Sequence, residues 1–166
     1  MQLAMSTERE TRHANDVVTL SVGGKEFATY FGTLANSRSP YFEYMFQVDR
    51  FSGRILINSS NIILDRQDRV FVDRDGELFS HVLNFFRDGK RAVLPEDTNI
   101  LRRLVREAEF FNLPSLVAIL EERLNEEDKR AEEREIKLET VESTLQKISQ
   151  QLYVSSFRRD LRDNAS

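Results

Sequence analysis

The 166-residue chain has no cysteine, which excludes disulfides and every zinc site built on thiolates. Its two histidines, His13 and His81, lie far apart, so no paired-histidine spacing supports a metal and none is expected. His81 falls in a helical pattern and reads as a surface or interface histidine. Tryptophan is absent while phenylalanine occurs twelve times, so Phe is expected to do much of the core filling. No apolar run approaches the roughly 18 residues of a membrane span. The polar, mixed-charge start from Met1 to Asp16 lacks the apolar core of a secretory signal. A net charge of −4 and a pI near 5.4 run against a nucleic-acid surface. Together these features fit a soluble cytoplasmic protein with neither nucleic acid nor membrane as partner.

What is present begins with strand signals. Residues 1–15 read as a disordered leader. Val18-Thr-Leu-Ser-Val22 alternates apolar and polar, the period of a half-buried strand. Gly23-Gly24 then turns the chain, and Lys25 to Thr29 forms the return strand. Ser39-Pro40 marks a helix start, with the hydroxyl as cap and Pro at the first helical position. A short aromatic helix over Tyr41 to Phe46 should follow. The stretch from Gln47 to Gln67 is irregular, with β-prone Arg54 to Ile57 and a turn at Asn58 to Asn61. Val70 to Val72 is a further short strand.

After Gly76 the period becomes helical. Leu78, Phe79, Val82, Phe85 and Phe86 share one face, with Asp75 as cap and Gly89 as stop. A second helix after Pro95 carries Leu101, Leu104, Val105 and Ala108, capped by Asp97 or Thr98. A third starts near Pro114 with Leu116, Val117, Leu120 and Leu124. Strands first and helices after predict an α+β domain, a small sheet flanked by helices, over residues 16–124.

Residues 125–156 form a charged helix. Leu138, Val141, Leu145, Ile148 and Leu152 recur in steps of three and four, the heptad spacing of a coiled coil. Leu at a with β-branched residues at d favours assemblies larger than dimers. Lys137 at g and Glu142 at the following e suit pairing between parallel neighbours. Residues 157–166 read as a frayed tail.

Catalytic motifs are missing. Gly23-Gly24 lacks the spacing of a phosphate-binding loop. Asp73-Arg-Asp-Gly76 looks like part of a calcium loop, but that register puts Phe71 and Val82 at the first and twelfth ligand positions. No Ser/His/Asp grouping stands in a recognisable motif. No enzyme and no cofactor are expected.

Val18-Thr-Leu-Ser-Val-Gly-Gly24, Phe71-Val-Asp-Arg-Asp-Gly76, Val82-Leu-Asn-Phe-Phe-Arg-Asp-Gly89, Leu94-Pro-Glu-Asp97 and Glu107-Ala-Glu-Phe-Phe111 together resemble the potassium-channel tetramerisation branch of the BTB/POZ family. The resemblance covers Asp16 to about Leu124. It implies a homo-oligomeric interaction domain that closes into a tetramer or pentamer. The positions matching the polar subunit interface are Asp73, Arg74, Asp75, Arg87 and Asp88. Carboxylate–guanidinium pairs there would fix register through directional, charge-assisted bonds. Many members resemble substrate adaptors for a cullin-3 ubiquitin ligase, which makes Tyr41, Tyr44, Phe46 and Phe51 the candidate cullin-binding residues. The alternative is an assembly or regulatory module without ligase role. The segment between Phe46 and Phe71 is longer than the family's usual one.

Overall fold

The computed structural model describes residues 10–163, with side chains described through Val154. The chain divides between Leu124 and Asn125 into two compact units.

In the first unit, β2 (Val17–Val22) and β3 (Lys25–Tyr30) form the expected hairpin, with Val17 opposite Tyr30 and Val22 opposite Lys25. The alternation turns Val18, Leu20 and Val22 into the core. β6 (Val70–Val72) joins the other edge of β2 in parallel, with Leu20 opposite Val70. This gives a three-stranded sheet in the order β3-β2-β6.

A second three-stranded sheet has the order β1-β5-β4, all antiparallel. Its strands are β1 (Thr11–Arg12), β4 (Phe46–Val48) and β5 (Ile55–Ile57). Two expectations are corrected here. Residues 10–15 are not a disordered leader: Thr11 and Arg12 pair with Leu56 and Ile55, and Arg54 Nε donates to Thr11 Oγ1 at 2.9 Å. The rest of that leader, residues 1–9, lies outside the described residues. Phe46 is not helical. The chain leaves α2 (Pro40–Glu43) after one turn, and Phe46 opens β4 opposite Ile57.

Helices α1 (Phe31–Ala35), α3 (Gly76–Asp88) and α4 (Thr98–Phe110) complete the unit with the first turns of α5 (Pro114–Asp163). Asp75 caps α3, accepting from the N–H groups of Glu77 and Leu78 at 2.9 and 3.2 Å. Asp97 caps α4 in the same way through Asn99 and Ile100. Gly89 ends α3 with φ +59°, a conformation glycine adopts without a Cβ penalty. Ser39 precedes α2 but does not cap it. Its buried hydroxyl instead donates to the Phe111 carbonyl at 2.6 Å, tying α2 to the end of α4.

Phenylalanine fills the core as the composition implies. Phe42, Phe46, Phe79 and Phe111 are the largest fully buried side chains. Phe42 stacks on Phe111 with centroids 5.6 Å apart and meets Phe86 edge-on at the same separation, two of the favoured aromatic geometries.

In the second unit α5 continues as one helix, and its side chains from Asp128 to Val154 are exposed. Helical backbone runs past Phe157 to Asp163, where a frayed tail is expected. Residues 164–166 of that tail lie outside the described residues. No helix among the described residues is long and apolar enough to cross a membrane.

Candidate functional site

The loop between β6 and α3 carries the charged motif, and close backbone packing fixes its shape. Gly23 has φ +55°, and a Cβ there would sit 2.4 Å from the Arg74 carbonyl oxygen. A Cβ on Gly76 would sit 2.5 Å from the Val22 carbonyl oxygen. Gly23 N–H also donates to the Val72 carbonyl at 3.1 Å. The glycine turn therefore serves the hairpin and seats the Arg74 loop as well.

Arg74 points back into its own subunit. Its Nε and Nη2 donate to Glu107 Oε2 and Oε1 at 2.9 and 2.7 Å. The guanidinium also lies 4.0 Å from the centroid of the Phe110 ring, within cation–π range. Asp75, besides capping α3, accepts from Arg103 Nη2 at 2.6 Å. Arg87 donates through Nη2 to the Ala28 carbonyl of β3 at 3.0 Å. Asp73 and Asp88 are exposed. Of the five interface candidates, Arg74, Asp75 and Arg87 thus have partners within the chain, and the two other carboxylates face outward.

The aromatic candidates separate in a similar way. Phe46 is fully buried, so it belongs to the core and is withdrawn as a contact residue; Phe42 and Met45 are buried beside it. Tyr41 is half-buried, packed on Phe42, Phe110 and Phe111. Burial raises its phenol pKa, an effect opposed by the charge of Arg74. Tyr41 and Arg74 therefore share the Phe110 ring as a neighbour. Tyr44 is 66% exposed and Phe51 is completely exposed.

Phe51 lies in the tight connection between β4 and β5. Asp49 organises this turn. Its carboxylate accepts from the Phe51 N–H at 3.1 Å and from the Ser52 hydroxyl at 2.5 Å. These bonds hold its carboxyl below the usual carboxylate range, with the Ser52 contact the largest cause. Its backbone bonds Arg54 and Gly53, both at 2.8 Å. The segment after Phe46 thus builds a closed hairpin with an aromatic at its tip. It also helps wall a groove of about 470 Å³ lined by Phe31, Ile57, Ile62 and Leu64.

Glu107 and Arg103 escape a reading by sequence alone. Glu107 is 6% exposed and lies three residues after Leu104 on the apolar face of α4. A carboxylate in that stripe was the available signal. Among the described residues no group of His, Asp and Glu is placed to hold a metal. His13 Nε2 lies 2.9 Å from Arg54 Nη1, and His81 is half-buried on α3.

The family model for the BTB/POZ domain matches residues 18–120. An uncharacterized protein of Caenorhabditis elegans is 34% identical over 108 residues, 65% of this chain and 37% of its own length. BTB/POZ domain-containing protein KCTD21 of Homo sapiens is 35% identical over 109 residues, 66% of this chain and 38% of its own. Potassium channel regulatory protein of Homo sapiens is 37% identical over 107 residues, 64% of this chain and 35% of its own. The chain thus matches less than two fifths of each relative's length. With the ordered motifs, the hairpin-and-helix fold and the match over residues 18–120 in agreement, the chain belongs to the BTB/POZ family, in its potassium-channel tetramerisation branch.

Proposed function

We propose that this protein is a non-catalytic, homo-oligomeric adaptor of the cytoplasm. Its first unit assembles copies of the chain and presents an aromatic surface to the cullin-3 scaffold of a ubiquitin ligase. The observation that carries the reading is Phe51, fully exposed on a hairpin turn held by the Asp49 carboxylate. An exposed aromatic on a pre-ordered turn loses little conformational freedom on binding, and aromatic anchors dominate interface energetics. Tyr44 adds a second exposed ring on the chain leading into the same hairpin. Several copies linked in one assembly would raise avidity for a substrate without new contacts.

A second reading has its own support. The likeness to a protein named potassium channel regulatory protein favours an assembly module that regulates another oligomer without a ligase.

Light scattering with and without the cullin-3 N-terminal domain separates the two. An oligomer that gains about one cullin per subunit, and loses this with Phe51→Ala at unchanged mass, supports the adaptor. An oligomer that gains none leaves the regulatory module. A monomer rejects both.

A further inference from the structure

We propose that Leu138–Leu152 of α5 is a parallel, in-register seam between copies of this chain. The inference rests on the homo-oligomeric reading above and adds direction and register to it. Leu138, Val141, Leu145, Ile148 and Leu152 are 47% to 63% exposed on one continuous helix. Their steps of three and four place them on a single stripe about 21 Å long, at 1.5 Å per residue. Such a stripe is stabilised by knobs-into-holes packing against like stripes, and Leu at a with β-branched d residues favours three or four strands over two.

The flanking charges identify the occupant. In this register Arg130 and Lys137 hold g positions, while Asp128, Glu135 and Glu142 hold e positions. Parallel strands bring g of one copy beside the following e of its neighbour. At the start of the seam Lys137 then meets Glu142, base against acid. Antiparallel strands bring g beside g and e beside e, which parts Lys137 from Glu142, and the uncharged Gln151 at g and Ser149 at e give neither a charged partner. Arg134 at d ends the apolar stripe upstream, so the seam starts at Leu138.

The absence of cysteine makes the test direct. Full-length chains carrying only Leu138→Cys, or only the outward-facing control Ser143→Cys, are treated with a short bismaleimide. The seam predicts about tenfold more covalent dimer for position 138, since packed neighbours sit at high effective concentration. A mixture of Leu138→Cys and Leu152→Cys chains should give 138–138 and 152–152 products. A dominant 138–152 product overturns the direction. Equal yields at 138 and 143, in an oligomer of unchanged mass, overturn the seam while assembly through the first unit stands. A monomeric mass overturns both. The exchange Lys137→Glu with Glu142→Lys should restore cross-linking that either single reversal lowers; failure to restore it overturns the charge pairing.

Discussion

Arg74 and Glu107, from the β6–α3 loop and from α4, are joined by two N–H···O bonds of 2.9 and 2.7 Å. The fork geometry matches a guanidinium to a carboxylate edge on, which a lysine cannot reproduce. The Glu107 side chain is 8% exposed and that of Arg74 28%, so removal of either partner leaves a poorly hydrated charge. Glu107→Ala should lower stability by about 2 kcal/mol, less than the ~3–5 of a fully buried pair because Arg74 keeps some water contact. Urea unfolding would measure it. A midpoint equal to the parent's would show that the pair contributes nothing to the fold.

That pairing changes how assembly is best tested. Arg74→Glu would place a carboxylate against Glu107, so any loss of assembly would be mixed with loss of folding. Asp73 and Asp88 are exposed and carry no such burden. Under the proposed assembly, Asp73→Lys should reduce the oligomer's mass at low protein concentration while the urea midpoint moves by less than about 0.5 kcal/mol, the usual range for surface substitutions. An unchanged mass for both Asp73→Lys and Asp88→Lys would move the interface elsewhere.

Gly23 and Gly76 close the seat of the same loop from opposite sides. Each would drive a Cβ to within 2.4 or 2.5 Å of a backbone carbonyl oxygen, and Gly23 sits at φ +55° besides. Alanine at either position must displace main chain, with an expected loss of about 2–4 kcal/mol. Gly24→Ala is the control. It has φ +84° with open space around its Cβ position, so only backbone strain of about 1 kcal/mol applies. Thermal unfolding should rank both Gly23→Ala and Gly76→Ala below Gly24→Ala. The reverse order would refute the close approach.

What the sequence made legible follows the range of the interaction. The caps made by Asp75 and Asp97 and the stop at Gly89 act on residues within four positions, so that chemistry is written locally, whereas the bond from Arg103 to Asp75 is not. The face of α3 and the hairpin from Val17 to Tyr30 are equally local, being periodic. Ser39 shows where that ends. Its residue type and the following Pro40 signal a cap, yet its hydroxyl binds Phe111, 72 residues away. Thr11 and Arg12 have no strand pattern of their own; they are extended because Ile55 and Leu56 offer an edge. Phe46 continues an aromatic helical pattern, but pairing with Ile57 overrides it. The candidate site was split the same way. The motif located the Arg74 loop, while its partner Glu107 opens the Glu107–Phe111 motif and stands as a carboxylate among Leu101, Leu104 and Ala108, with nothing in the pattern to pair it with Arg74.

The turn from Asp65 to Arg69 carries a pH dependence that one carboxylate sets. Asp65 Oδ2 accepts from Arg69 Nε at 2.7 Å, and Oδ1 accepts from the N–H groups of Gln67 and Arg69 at 2.8 and 3.1 Å. Arg69 in turn bonds Glu26 on β3 at 2.7 Å. The Arg69 side-chain bond is the main reason the Asp65 carboxyl is lowered to about 2. In the unfolded chain the same group titrates near ~3.9. The folded form therefore binds this proton less readily, and the turn's contribution is complete above pH ~4 and fades as the pH falls through about 2. A carboxyl-detected NMR titration should place Asp65 well below the exposed carboxylates. Asp65→Asn should flatten the acid limb of the stability profile between those two values. A titration midpoint near 4 would mean that Arg69 does not hold the turn in solution.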